Sequence, residues 1–257
     1  LSLFASSFGL GTVSGPVLAP LLVFSFLGIG LTGPFISFAL IGMIALILLR
    51  LRLPDDEPQY AARGQAVPYS GSSDASAGAD ADYEPDAHTE TAEAPGRLSW
   101  FDPRLRAWEL AGLVGGHAQA MVMGIAGFLV LDRLGLRSQP EEGAALVSLV
   151  LVFGALATLL AQWGLIPRFR IGPRAATLSG MIVAALGTAL LGGADDISSL
   201  SLGFAIASLG FGLFRPGTTA GTSLSVTRAE QGQASGIVAS VAGASFVYAP
   251  AVGVWLY

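Results

Sequence analysis

Six stretches of this chain, 1–49, 110–131, 143–167, 175–194, 197–214 and 231–257, contain no Asp, Glu, Lys or Arg, and each is at least 18 residues long. About 20 apolar residues in a helix cross the hydrocarbon of a bilayer. The pattern predicts an all-α membrane protein, a polytopic transmembrane helix bundle. It excludes a soluble enzyme, a nucleic-acid-binding protein and a disulfide scaffold. Only 12% of residues are charged, against about 25% in a soluble domain.

Cysteine is absent, so no disulfide, thiolate metal site or cysteine nucleophile exists. Lysine is absent too, which removes the Schiff base that a retinal-binding pump needs. Charge is unevenly placed: residues 54–105 hold 11 acids and 3 arginines, while the rest holds 7 acids and 10 arginines. The chain opens on Leu1, directly in apolar sequence, which reads as a piece of a longer protein.

The uncharged start is too long for one span. Gly28, Gly30, Gly33 and Pro34 divide it into two predicted helices, 3–25 and 34–52. Residues 54–105 are rich in Pro, Gly, Ala, Ser and acids and cannot bury a core, so they read as a disordered acidic cytoplasmic tether. Five more spans are predicted at 107–131, 143–163, 174–194, 198–217 and 232–255, giving about seven. The domain plan is two helices over 1–53, the tether over 54–105 and five helices over 106–257.

With the tether in the cytoplasm, Arg50, Arg52, Arg63, Arg97, Arg104, Arg106, Arg168, Arg170, Arg174, Arg215 and Arg228 fall inside, and only Arg133 and Arg137 outside. Positive residues favour the cytoplasmic side, so this orientation is the expected one. Trp100, Trp108, Trp163 and Trp255 fall near span ends, where indole rings prefer the interface.

The first helix carries Gly9-Leu10-Gly11-Thr12-Val13-Ser14-Gly15-Pro16. Glycines four apart open a face to close helix approach, and Pro16 bends the helix. Generic membrane packing explains the glycines equally well. The stretch resembles the fifth-helix antiporter signature of the major facilitator superfamily, with Gly11, Gly15 and Pro16 on the matching positions. Ala19 and Pro20 stand where that signature has a glycine pair.

A second stretch, Gly164-Leu165-Ile166-Pro167-Arg168-Phe169-Arg170-Ile171-Gly172-Pro173-Arg174, resembles the Gly- and Arg-rich cytoplasmic loop that the superfamily repeats in its second half. Gly164, Arg168, Gly172 and Arg174 carry the likeness; the acidic residue of that loop is missing. The plain alternative is a positive-inside anchor. The long tether between two helical blocks is similar to the central loop between the superfamily's six-helix halves. On that resemblance the fold is a partial major facilitator bundle, helices five to eleven of twelve, close to drug–proton antiporters such as tetracycline efflux pumps or to sugar and metabolite carriers of similar plan.

Inside the spans, polar groups are scarce. His117 and Gln119 lie near mid-depth of the third helix, and such groups face a cavity or a partner rather than lipid. His117 reads as a substrate ligand or proton carrier, since imidazole exchanges protons near neutrality, or as a neutral ring satisfied by a carbonyl. The resemblance implies that the third and sixth helices line the substrate path. Arg215, expected to end the sixth helix, reads as a gate or anion clamp, or as a snorkelling boundary residue. Glu109 reads as a partner of Arg106 or as an inner-gate residue. In the seventh helix, Gly232, Gly236, Ser240, Ala239 and Gly243 predict tight packing.

No H-E-x-x-H, P-loop or G-x-S-x-G is present, and the only histidines are His88, in the tether, and His117. No cofactor, metal or enzymatic activity is expected. The resemblance implies a secondary transporter of a small organic solute, with protons as coupling ion, embedded as a multi-pass protein in a lipid bilayer such as a bacterial inner membrane. The other class weighed is a seven-helix receptor or membrane assembly subunit, against which the acidic tether after two helices argues.

Overall fold

The structure, a computed structural model, describes Gly15, Leu18 and residues 32–52 and 98–257. The predicted helix over 3–25, including Gly11 and Pro16, and most of the acidic tether lie outside the described residues. Gly15 itself is helical, with open space beside its Cα among the described residues.

Lipid offers no partner to a peptide group, so a spanning segment must bond its backbone internally, and a helix does this. The described residues form helices and connecting turns, with no strand. These are α1 (Gly33–Arg52), α2 (Arg106–Arg133), α3 (Pro140–Leu159), α4 (Ile166–Phe169), α5 (Pro173–Gly192), α6 (Ile197–Leu224) and α7 (Gln231–Leu256). A π-helical stretch, Leu160–Leu165, joins α3 to α4, so one apolar rod runs over Pro140–Phe169. Among the described residues six helices are long and apolar enough to cross a membrane.

Starts and stops follow local chemistry. α3 opens on Pro140, whose missing N–H is no loss in a first turn, with Glu141 and Glu142 beside the helix's positive end. α6 opens on a capping box: Ser198 and Ser199 donate their N–H groups to Asp196 Oδ1 at 2.9 and 3.1 Å, and Asp196 N donates to Ser199 Oγ. The hydrogen bonds hold the Asp196 carboxyl below its ordinary range, the Ser199 side chain contributing most.

Two expected boundaries move. The sixth span continues past Pro216 to Leu224, because a proline inside a packed helix costs only the bonds its neighbours fail to replace. Beside it, Thr218 Oγ1 donates to Arg215 O at 3.0 Å. The fourth span is extended by the π turn and α4 at its far end.

α6 is the centre of the bundle. It packs against α5 along Gly203, Gly210 and Gly217, spaced by seven. A Cβ on Gly210 would lie 2.6 Å from Gly180 O and Ala184 Cα, so the two backbones touch and nothing larger than glycine fits. A core of Val130, Val150, Leu200, Phe204 and Phe211 joins α2, α3 and α6. α7 packs on α2 through Ala234, Ile237, Val241, Ser245 and Ala249.

The small-residue stripe expected to pack does not do so among the described residues. Gly232, Gly236 and Gly243 face open space, and Ala239 and Ser240 are exposed. Side chains on the adjacent face of α7 bury instead, since Ile237 and Val241 offer more apolar area to α2 than glycine can. α1 exposes nearly all of its large side chains, Phe35 at 78% and Leu51 at 74%. Such a surface suits hydrocarbon and not water.

Charged clusters fasten both ends. At the arginine-rich end, Arg104 donates to Glu230 at 2.9 and 3.1 Å and to Asp102 at 2.9 and 3.1 Å. Leu98 N donates to Gln233 Oε1 at 2.7 Å, and Leu105 is fully buried beside Ile237 and Val241. At the other end Arg133 pairs with Asp195 and donates to Gly192 O at 3.0 Å. Tyr257 donates to Asp132 at 2.8 Å, and Arg137 pairs with the same carboxylate at 2.7 Å.

Candidate functional site

On α2, positions 109, 112, 116 and 119 fall on one face at helical spacing. On α6, Arg215, Thr218, Thr219 and Thr222 do the same. These faces meet α7 around a small cleft of about 50 Å³ whose walls include Glu109, Gln119, Arg215, Thr218, Thr222 and Phe246. Three of the four pathway residues read from sequence are therefore brought together.

Glu109 is 9% exposed and accepts a hydrogen bond from Thr222 Oγ1 at 3.2 Å; Thr222 is 2% exposed. The expected pair with Arg106 does not form: among the described residues Arg106 has no acidic partner. The reason is direction. Glu109 turns into the bundle, whereas Arg106 lies exposed at the helix start. Trp108 covers Gly221, which leaves room for the indole because it has no side chain. A carboxylate so enclosed is costly without a cation, a proton or further donors.

Arg215 does not end its helix. α6 continues nine residues beyond it, to Leu224, and its guanidinium carbon lies 5.9 Å from the Phe246 ring centroid. The helix runs on through Pro216 without ending there. Gln119 presents a buried Oε1 with no hydrogen-bond partner among the described residues. An orphan amide oxygen in a cleft is an open acceptor, and buried acceptors are costly to leave unmet.

His117 sits apart, in the seam between α2 and α7. Its Nδ1 is 2.6 Å from Leu113 O. A carbonyl only accepts, so Nδ1 carries the hydrogen and neutral His117 accepts at Nε2, where Tyr248 OH is bonded to it. The rings stand 4.9 Å apart between centroids. Ser245, fully buried, lies 3.2 Å from Nδ1 and donates to Val241 O at 3.1 Å. The carbonyl-satisfied reading of His117 matches this geometry, with Tyr248 added.

The loop residues spread along the turn between α3 and α5. Gly164 lies in the π stretch, Arg168 in α4, Gly172 caps α5 and Arg174 is in its first turn. Among the described residues no three acidic or histidine side chains are placed to hold a metal ion.

Residues 1–250 match the family model described as Major Facilitator Superfamily. The chain belongs to that superfamily. No curated protein and no solved structure matches it.

A major facilitator protein is a membrane transporter, so the lipid bilayer is the solvent of these helices and a small molecule is the cargo. The all-helical bundle with six described spans is a partial form of that fold. Several residues of this member were missed in the sequence. Thr218 and Thr222, four apart in an apolar run, carried a readable signal for one polar face. Tyr248 stood as a phenol within a charge-free helix. Glu230 was readable only as the end of a capping box with Thr227, because its ion-pair partner Arg104 is 126 residues away.

Proposed function

We propose that this major facilitator protein is a proton-coupled exporter of a small organic solute, working by alternating access in a bacterial inner membrane. In this reading its spans correspond to helices five to eleven of twelve. Residues 1–53 end one half, 54–105 form the cytoplasmic connection and 106–257 belong to the second half. The arginine-rich end, with Arg104, Arg168 and Arg174, faces the cytoplasm.

The observation that carries the reading is the cleft in which buried Glu109 and the unpartnered Oε1 of Gln119 face the same space as Arg215. Solute donors satisfy Gln119, and Glu109 holds either a proton or solute. Exchange of one for the other at a single carboxylate couples the two flows. Phe246 and Trp108 supply apolar walls. His117, bonded to Leu113 O and Tyr248 in the seam between α2 and α7, holds the wall beside the cleft in place. The open small-residue face of α7 at Gly232, Gly236 and Gly243 supports a sliding contact with the other half, together with the Gly11, Gly15 and Pro16 helix.

The test is accessibility. With Thr218→Cys, a thiol reagent reaches the cleft in membranes, and a transported solute slows the labelling in proportion to its occupancy. Labelling that no transported solute ever slows contradicts the assignment of the cleft.

A further inference from the structure

The turn between α4 and α5 carries Arg168, Arg170 and Arg174, all exposed. Among the described residues none of the three side chains makes a hydrogen bond or an ion pair. Arg104, Arg133 and Arg137, by contrast, are each paired with a carboxylate. No Asp or Glu occurs between 143 and 194, so the segment supplies no partner of its own.

Arg170 has φ 48°, and no other non-glycine residue described has a positive φ. A side chain in the left-handed region costs roughly 1–2 kcal/mol that glycine avoids. A guanidinium occupies a place that glycine would fill without strain. Next to it α5 begins at Gly172 with no capping side chain and no acid in its first turn. The N–H groups of Arg174 and Ala175 therefore have no intrahelical acceptor. They border a shallow concavity formed with Gly172, Pro173 and Leu178. Apolar side chains flank the turn: Phe169, Leu178 and Trp163 are 67%, 53% and 52% exposed.

We propose that this turn is a docking surface for the headgroup of an anionic phospholipid. The phosphate sits against Arg174 and the open N–H groups of α5. Arg168 and Arg170 complete the charge, and the acyl chains run along Leu178 and Trp163. The acidic stretch 55–93 has the right charge but nothing to cover three exposed apolar side chains, whereas a phospholipid satisfies both. The proposal stands independently of the transported solute.

The full chain in detergent is mixed with phosphatidylglycerol or phosphatidylcholine, stripped, and the retained lipid counted by native mass spectrometry. The wild type retains phosphatidylglycerol preferentially. Each arginine removed lowers the affinity about fivefold, so the triple variant R168Q/R170Q/R174Q loses most of the preference. Arg170→Gly loses a part while its melting temperature does not fall, because backbone strain is relieved. Equal retention of the two lipids by the wild type, or undiminished retention by the triple variant, overturns the proposal. So does retention seen only after residues 60–95 are deleted, since the acidic stretch would then be the occupant.

Discussion

Thr222 on α6 donates its hydroxyl to Glu109 on α2, 113 positions away, at 3.2 Å, and both side chains are buried. This bond ties the two helices that carry the walls of the cleft. Thr222→Val keeps the shape and leaves the carboxyl without its donor. Stability should fall by about 1–3 kcal/mol, read as a lower melting temperature in detergent, while Thr222→Ser stays near wild type.

The clamp at the arginine-rich end sets an acid limit. The Arg104 guanidinium, with the N–H and hydroxyl of Thr227, lowers the Glu230 carboxyl from 4.5 to about 2. The same guanidinium lowers Asp102. A depressed acid stabilises the fold above its unfolded value and loses that contribution as pH falls through the folded one. The clamp's contribution to thermal stability should be flat from pH 7 to 5 and decline from about 4.5 towards 2. Glu230→Gln should remove part of that decline and lower stability at neutral pH. Identical pH profiles for variant and wild type would refute the clamp.

Close backbone contact makes a contrasting pair. Gly210→Leu drives a side chain into Gly180 and Ala184 and should cost at least about 1–3 kcal/mol, with loss of folded protein from membranes. Gly236→Leu meets open space among the described residues and should leave folding intact. If Gly236 serves the sliding contact between halves, transport falls in that variant although membrane levels do not.

Much of the bundle was legible because lipid imposes a simple rule. Uncharged runs of spanning length fixed the helices at 106–133, 173–192 and 231–256 to within a few residues. What sequence could not show was direction around each helix. Gly232, Gly236 and Gly243 have the spacing of a packing stripe, yet Gly203, Gly210 and Gly217 perform that packing. Both sets put small residues on one face of a helix, and only the facing helix decides which of them packs. Arg215 beside Pro216 read as a helix end, because a proline ordinarily stops a helix and only the packed fold shows that this one is tolerated. Glu109 was read with its neighbour Arg106, whereas its partner lies on α6.

Gln119 offers a solute-specific test. Gln119→Leu removes the orphan acceptor and should leave stability unchanged or raised, since an unmet buried group disappears. Solute affinity should fall by about 5- to 30-fold, the equivalent of one lost hydrogen bond of about 1–2 kcal/mol. A competition assay in membrane vesicles measures this directly.

The central claim is that one carboxylate, Glu109, exchanges solute for proton. Its most direct test compares wild type with Glu109→Gln in vesicles for two activities, transport driven by an imposed pH gradient and solute–solute exchange without one. The variant is predicted to lose gradient-driven transport and to keep exchange, because a neutral amide still lines the cleft but carries no proton. Gradient-driven transport equal to wild type would contradict the account.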